Sequence, residues 1–234
     1  MHSEHIFKQY DAELEALRSK VLEMGGLVEH QFVQAIDALI KGDAELARGV
    51  EETEQRVNTL EMQIDVDCSH IIVRRQPAAG DLRMVMMMVK IITDLERIGD
   101  EATKIARTTA RLYSDERLSQ LRFGEIKTMF VLVRGMLRAI LDGFARLDLS
   151  KTIEVAKQDE LVDEQFRGLI RQLITFMLED PRTISMSLEI LFVAKAIERI
   201  GDHAKNIGEY LVYVVKGKDV RHSSVQEMEQ EAFK

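Results

Sequence analysis

Apolar residues recur at alternating steps of three and four along most of this 234-residue chain. Phe7, Tyr10, Leu14, Leu17, Val21, Met24 and Val28 form the first run, which continues after a slip through Phe32, Ala35 and Leu39. That period places one apolar stripe on a helix and predicts a long helix packed along a seam. Gly42-Asp43 interrupts it, and Asp43 is the expected N-cap of a second helix. Leu46, Val50, Val57, Leu60, Ile64 and Ile71 line the inner side of that helix. Gln76-Pro77 predicts its end, because proline cannot continue the hydrogen-bond ladder. A third helix is expected to run from a cap at Asp81 to Tyr113.

Residues 114–124 are polar and predict a boundary, after which the pattern restarts. Ile126, Met129, Val133, Leu137, Ile140 and Phe144 mark a fourth helix. Asp148 and Ser150 open a fifth, with Val162, Phe166, Leu169, Leu173 and Phe176 facing inward, and Glu179-Asp180-Pro181 closes it. A sixth is expected from Ile184 to Val215, and the residues after Lys216 read as a frayed polar tail. The expectation is therefore all-α: an antiparallel three-helix bundle over residues 1–117, a second over 118–217, and a polar tail over 218–234.

The halves repeat one another. Glu96-Arg97-Ile98-Gly99-Asp100 returns 102 residues later as Glu198-Arg199-Ile200-Gly201-Asp202, and Ala102 and Ile105 return as Ala204 and Ile207. The preceding helices match at an offset of 105, which pairs Asp43 with Asp148, and Glu54 and Asn58 with Asp159 and Asp163. The two prolines fall in the same turn of each half. A duplicated three-helix unit accounts for this.

Composition narrows the function classes. A net charge of −8 argues against direct binding to nucleic acid or to an anionic membrane surface, both of which reward basic patches. Cys68 is the single cysteine, so no intramolecular disulfide is possible and a reducing, cytoplasmic setting fits. No signal peptide is evident at the start, and the longest apolar run, Met84 to Val89, falls well short of the ~20 residues of a membrane span.

The acidic pairs are the candidate chemistry. Glu96 and Asp100 stand four apart and share a helix face with Ile92, Val89 and Val85; Glu198 and Asp202 do the same behind Ala194 and Leu191. Like charges at that spacing repel unless a cation compensates. On the preceding helices, Glu51, Glu54, Asn58, Glu61 and Asp65 lie along one stripe, and Asp159 and Asp163 are the corresponding pair. Set against each other, these residues form an oxygen-only cluster suited to Mg²⁺, Mn²⁺, Ca²⁺ or iron, with Zn²⁺ a further candidate. The second half is the stronger metal candidate, since Asn58 replaces a carboxylate in the first. The competing reading is a network without an ion, in which Arg97, Arg199, Lys104 and Lys205 neutralise the acids. Gly99 and Gly201 each cost a helix about 1 kcal/mol relative to alanine. Their recurrence beside the acids predicts a close helix contact or room for a ligand.

Other signals are weaker. Asp67-x-x-His70 and Asp219-x-x-His222 are not repeat-related and do not make a di-iron pattern. His203 reads as a lone surface histidine, Met84, Met86, Met87 and Met88 as core, and Cys68 as buried filler. No phosphate-binding loop, nucleophile elbow or His-Glu-x-x-His motif is present, which argues against an enzyme. The alternative kept open is a metal-dependent enzyme built on the carboxylate clusters.

Several stretches together resemble the PhoU family of bacterial phosphate-signalling proteins: Met24-Gly25-Gly26, Arg75-Gln76-Pro77, Asp81-Leu82-Arg83, Leu95 to Asp100, Glu179-Asp180, Ile197 to Asp202, and Tyr213 to Gly217. The resemblance runs from residue 5 to 222. It implies two tandem three-helix bundles, often paired as a homodimer. It implies a negative regulator of the phosphate-starvation response that links the ATPase of the Pst phosphate transporter to a PhoR-type sensor kinase. Contact with the membrane would come only through those partners, and no nucleic acid is implied. It also implies metal binding through Glu96/Asp100, Glu198/Asp202 and Asp159/Asp163, while Glu54/Asn58 departs from the pattern.

Overall fold

The computed structural model describes residues 8–113, 123–221 and 223–233, and the regular structure among them is helical. Three long helices, α1 (Lys8–Lys41), α2 (Ala44–Arg75) and α3 (Ala79–Leu112), form the first repeat. Helices α4 (Gly124–Arg146), α5 (Leu149–Glu179) and α6 (Ile184–Lys216) form the second, with a 3-10 turn at Pro181–Thr183 before α6. A short α7 spans Val225–Phe233. The expected boundary at 117/118, Phe7 and His222 lie outside the described residues.

The caps explain where the helices start and stop. Asp43 and Asp148 adopt the same extended conformation (φ −93°, ψ 104°) ahead of α2 and α5. The Asp43 carboxylate accepts from Glu45 N at 2.9 Å and Leu46 N at 3.1 Å, and that of Asp148 from Ser150 N at 2.9 Å. Helix α2 ends on Gln76 in the left-handed region, with Pro77 next in sequence. Helix α3 corrects an expectation: it begins at Ala79, and Ala78 caps it without a side-chain hydrogen bond. Asp81 instead sits inside the first turn, where a carboxylate still suits the helix dipole.

Within each repeat the three helices pack pairwise. Between repeats, α3 runs antiparallel to α6 along most of its length, with Lys90 over the Tyr210 ring at one end and Arg111 bound to Glu189 at the other. Helix α1 meets α4 through Glu29, which receives Arg134 and Arg138, and through the edge-to-face pair Phe32–Phe130 with centroids 5.0 Å apart. Gly25 lies where α1 faces α4, and a Cβ there would push the end of the Leu141 side chain aside. One continuous core runs through both repeats.

Three details differ from the sequence expectation. Phe176 is 45% exposed. The inner stripe of α5 steps by four from Leu169 through Leu173 to Met177, which turns position 176 outward. Met87 and Met88 are buried as expected, but Met86 is exposed. The expected frayed tail is instead helical over Val225–Phe233. Ser224 and Glu227 form a reciprocal capping box, with Ser224 N donating to Glu227 Oε2 at 2.8 Å and Glu227 N donating to Ser224 Oγ at 3.3 Å. The helix they start buries Met228 and Ala232 and packs on α5, helped by Lys157–Glu229 at 3.2 Å. Cys68 is buried, and burial pushes its thiol up to about 12, which leaves it unreactive. No helix among the described residues is long and apolar enough to cross a membrane.

Candidate cation clusters

In the first repeat the acids converge. Glu54 on α2 and Glu96 and Asp100 on α3 each offer a carboxylate oxygen, and these oxygens lie within 4.8 Å of one another. Gly99 makes the approach possible: a Cβ there would stand 2.8 Å from Glu54 Oε2 and 3.0 Å from Gln31 Oε1. Gln31, from α1, is fully buried and ties the group together. Its Nε2 is 2.6 Å from Glu54 Oε2, 3.0 Å from Thr103 Oγ1 and 3.3 Å from the Gly99 carbonyl. Thr103 also donates to Glu54 Oε2 at 3.3 Å.

This arrangement leaves acceptors without donors. Gln31 Oε1, Glu54 Oε1 and Asn58 Oδ1 are all sealed from solvent with no hydrogen-bond partner. Each such group costs about 1–3 kcal/mol when buried unpaired. The charges are strained as well. Burial raises the pKa of Glu54, and the Asp100 charge adds to the rise. Glu96 is raised by burial, then by Asp100 and Glu61; Glu61 is raised by burial, then by Asp65. Arg97 sits 3.7 Å from Glu96 and is largely exposed, and Arg107 is occupied by Glu51 at 2.8 Å. Carboxylates crowded together, orphaned oxygens and no lysine among them suit a hard, oxygen-ligated cation. With no Cys or His among the donors, the set suits zinc less well.

In the second repeat, cationic side chains have taken Asp159, Glu198 and Asp163. Lys205 Nζ lies 2.7 Å from Oδ2 of the buried Asp159, Lys195 Nζ lies 2.5 Å from Glu198 Oε2, and Arg167 holds Asp163 at 3.1 Å. Gly201 faces Val133 and Met136 at ordinary contact distances, 3.5 and 3.6 Å from a built Cβ. Asp202 is exposed, but the surrounding protein, then Glu198 and Asp159, push it up to about 6. The sequence ranks the second repeat above the first, yet the tight carboxylate group among the described residues is Glu54, Glu96 and Asp100. The difference is local: Lys195 and Lys205 on α6 pair with Glu198 and Asp159, whereas Thr93 and Thr103 stand at the matching positions of α3.

Arg199 also acts differently from expectation, whereas Arg97 does lie against Glu96. Arg199 reaches across the α3/α6 seam to the buried Glu101 at 2.8 Å, which Lys104 also binds at 2.9 Å. His203 is not a lone surface histidine: its Nδ1 lies 2.6 Å from Oδ1 of the buried Asp94, to which Asn206 Nδ2 donates at 3.3 Å. Sequence reasoning passed over Gln31 and Asp94, though a polar residue inside the apolar stripe between Val28 and Phe32 marked the first.

The PhoU domain family matches this chain twice, over residues 21–109 and 126–211. A Burkholderia sp. protein, named a phosphate-specific transport system accessory protein PhoU homolog, is 48% identical over all of both chains. The Escherichia coli (strain K12) phosphate-specific transport system accessory protein PhoU is 43% identical, over 97% of this chain and 93% of its own. The crystal structure of PhoU from Pseudomonas aeruginosa superposes with a TM-score of 0.86 at 44% identity, covering 89% of this chain and 100% of that one. The phosphate transport system regulatory protein PhoU from Streptococcus pneumoniae gives 0.83 at 30% identity, covering 90% of this chain and 99% of that one. The chain therefore belongs to the PhoU domain family, with one copy of the domain in each repeat.

Proposed function

We propose that this protein is an accessory and negative regulator of phosphate uptake, an adaptor between the ATPase of a phosphate ABC transporter and a PhoR-type sensor kinase. The observation that carries the reading is the pair of PhoU domains, together with end-to-end relatives named as accessory proteins of the phosphate-specific transport system. The protein acts by binding rather than by catalysis, in the cytoplasm, and reaches the membrane through its partners. A homodimer would present each partner surface twice. A divalent cation held by Glu54, Glu96 and Asp100 would neutralise the α2/α3 face and fix those helices; the orphaned oxygens there support this role.

Deleting the gene tests the regulator. Alkaline phosphatase activity in phosphate-rich medium should become high and constitutive, and re-expression should lower it. Activity that stays low and inducible would reject the reading. A pull-down with the tagged full chain should recover the transporter ATPase and the kinase; recovery of neither would reject the adaptor.

A further inference from the structure

The two acidic clusters occupy the same place in their repeats but do not have the same neighbours. At the offset of 102 residues, Thr103 on α3 corresponds to Lys205 on α6, and Thr93 to Lys195. Gln31 and Met136 are equivalent in space, because each presses on the glycine of its own motif, Gly99 or Gly201. The first repeat thus surrounds its acids with an amide and a hydroxyl, and the second with a thioether and ammonium groups.

We propose that the chain binds its divalent cation in the first repeat only, and that Lys205 and Lys195 replace the cation of the second repeat as built-in counter-charges. This rests on the cation reading above. The first repeat meets the need of a ligand site: Glu54, nine-tenths buried, has an oxygen with no partner, and the fully buried Gln31 beside it has another. The second repeat meets that need at Asp159 and Glu198 with its own lysines. Asp159 there already receives an ammonium at 2.7 Å and Glu198 another at 2.5 Å, so a cation would have to displace both lysines. A bound cation beside an undisplaced ammonium would repel it. The repeat that responds to cation supply is α1–α3, while α4–α6 carries its own counter-charges at Asp159 and Glu198.

The test is the number of Mn²⁺ ions bound by the full chain, read by calorimetric titration and by elemental analysis after desalting, with circular dichroism to confirm folding. Wild type should bind one. Lys195→Thr combined with Lys205→Thr should bind two, and Thr103→Lys should bind none. Two ions on wild type would overturn the asymmetry while leaving the cation reading intact. No ion on wild type or on the double variant would overturn both. If the double variant does not fold, Thr103→Lys decides alone: loss of the single site supports the proposal, and its retention overturns it.

Discussion

The two repeats share caps, turns and motif, and differ in what sits against the motif glycine. Around Gly99 the side chains are Glu54 and Gln31; around Gly201 they are Val133 and Met136, with Asp159 held off by Lys205. The two sets of acids are matched except at Asn58, which stands where the second repeat has Asp163, and their surroundings satisfy them in two ways. One set is closed internally by lysine. The other keeps its crowded carboxylates and its orphaned oxygens, the features that support the proposed cation. An acidic motif by itself does not mark a cation site; its neighbours on the other helices decide.

The largest effect expected concerns the cation itself. A ligand at 100 times its Kd stabilises the folded state by about 2.7 kcal/mol. In the metal-free protein, Glu54, Glu61 and Glu96 have folded pKa values raised above their unfolded ones. The folded state then binds more protons, so its stability falls as pH rises through those values. The Mn²⁺-induced rise in Tm should therefore grow from pH 5 to pH 8, and Glu54→Gln should abolish most of it. A pH-independent rise would place the ion elsewhere.

Next, Lys205→Met should destabilise the protein by about 2 kcal/mol at pH 7 without divalent cations, since it leaves the buried Asp159 without its partner. Thermal melts with and without Mn²⁺ check this, and no loss in either would remove the lysine from the account. The glycines should then part company. Gly201→Ala should stabilise by about 1 kcal/mol through helix propensity, because its Cβ meets only ordinary contacts. Gly99→Ala should destabilise by about 1 kcal/mol, because the buried Glu54 and Gln31 would have to shift. Equal melts for the two variants would dissolve the contrast.

The smallest effect is at Asp202. Its folded pKa, pushed up to about 6, disfavours the ionised form, and that penalty is absent below the unfolded value and complete above pH 6. Asp202→Asn should raise stability at pH 7 by less than about 1 kcal/mol, because solvent screens an exposed carboxylate. The gain should vanish at pH 4; a gain that persists there would have another cause.

Much of this architecture was legible in the sequence because it depends on local rules. Asp43 and Asp148 announced their helices, the prolines closed the preceding ones, and the repeated motif located α3 and α6. The missed elements depend on contacts between helices. Gln31 lies on α1, 23 residues before the acid it binds, and only its polarity within an apolar stripe hinted at it. Lys205 was visible as a charge, but which acid it serves follows from the packing of α5 on α6. The pairing of Asp94 with His203 spans 109 residues and two unlike positions of the repeat, so repeat symmetry pointed away from it. Helix α7 was readable from its capping box and the spacing of Val225, Met228 and Ala232, but the polar composition around it masked the signal.

The most direct measurement is a crystal structure of the full chain soaked in Mn²⁺, with anomalous difference density recorded at the manganese edge. One peak per chain is expected, between α2 and α3, against Glu54, Glu96 and Asp100. A peak of equal height against Asp159, Glu198 and Asp202, or no peak in the first repeat, would contradict that expectation.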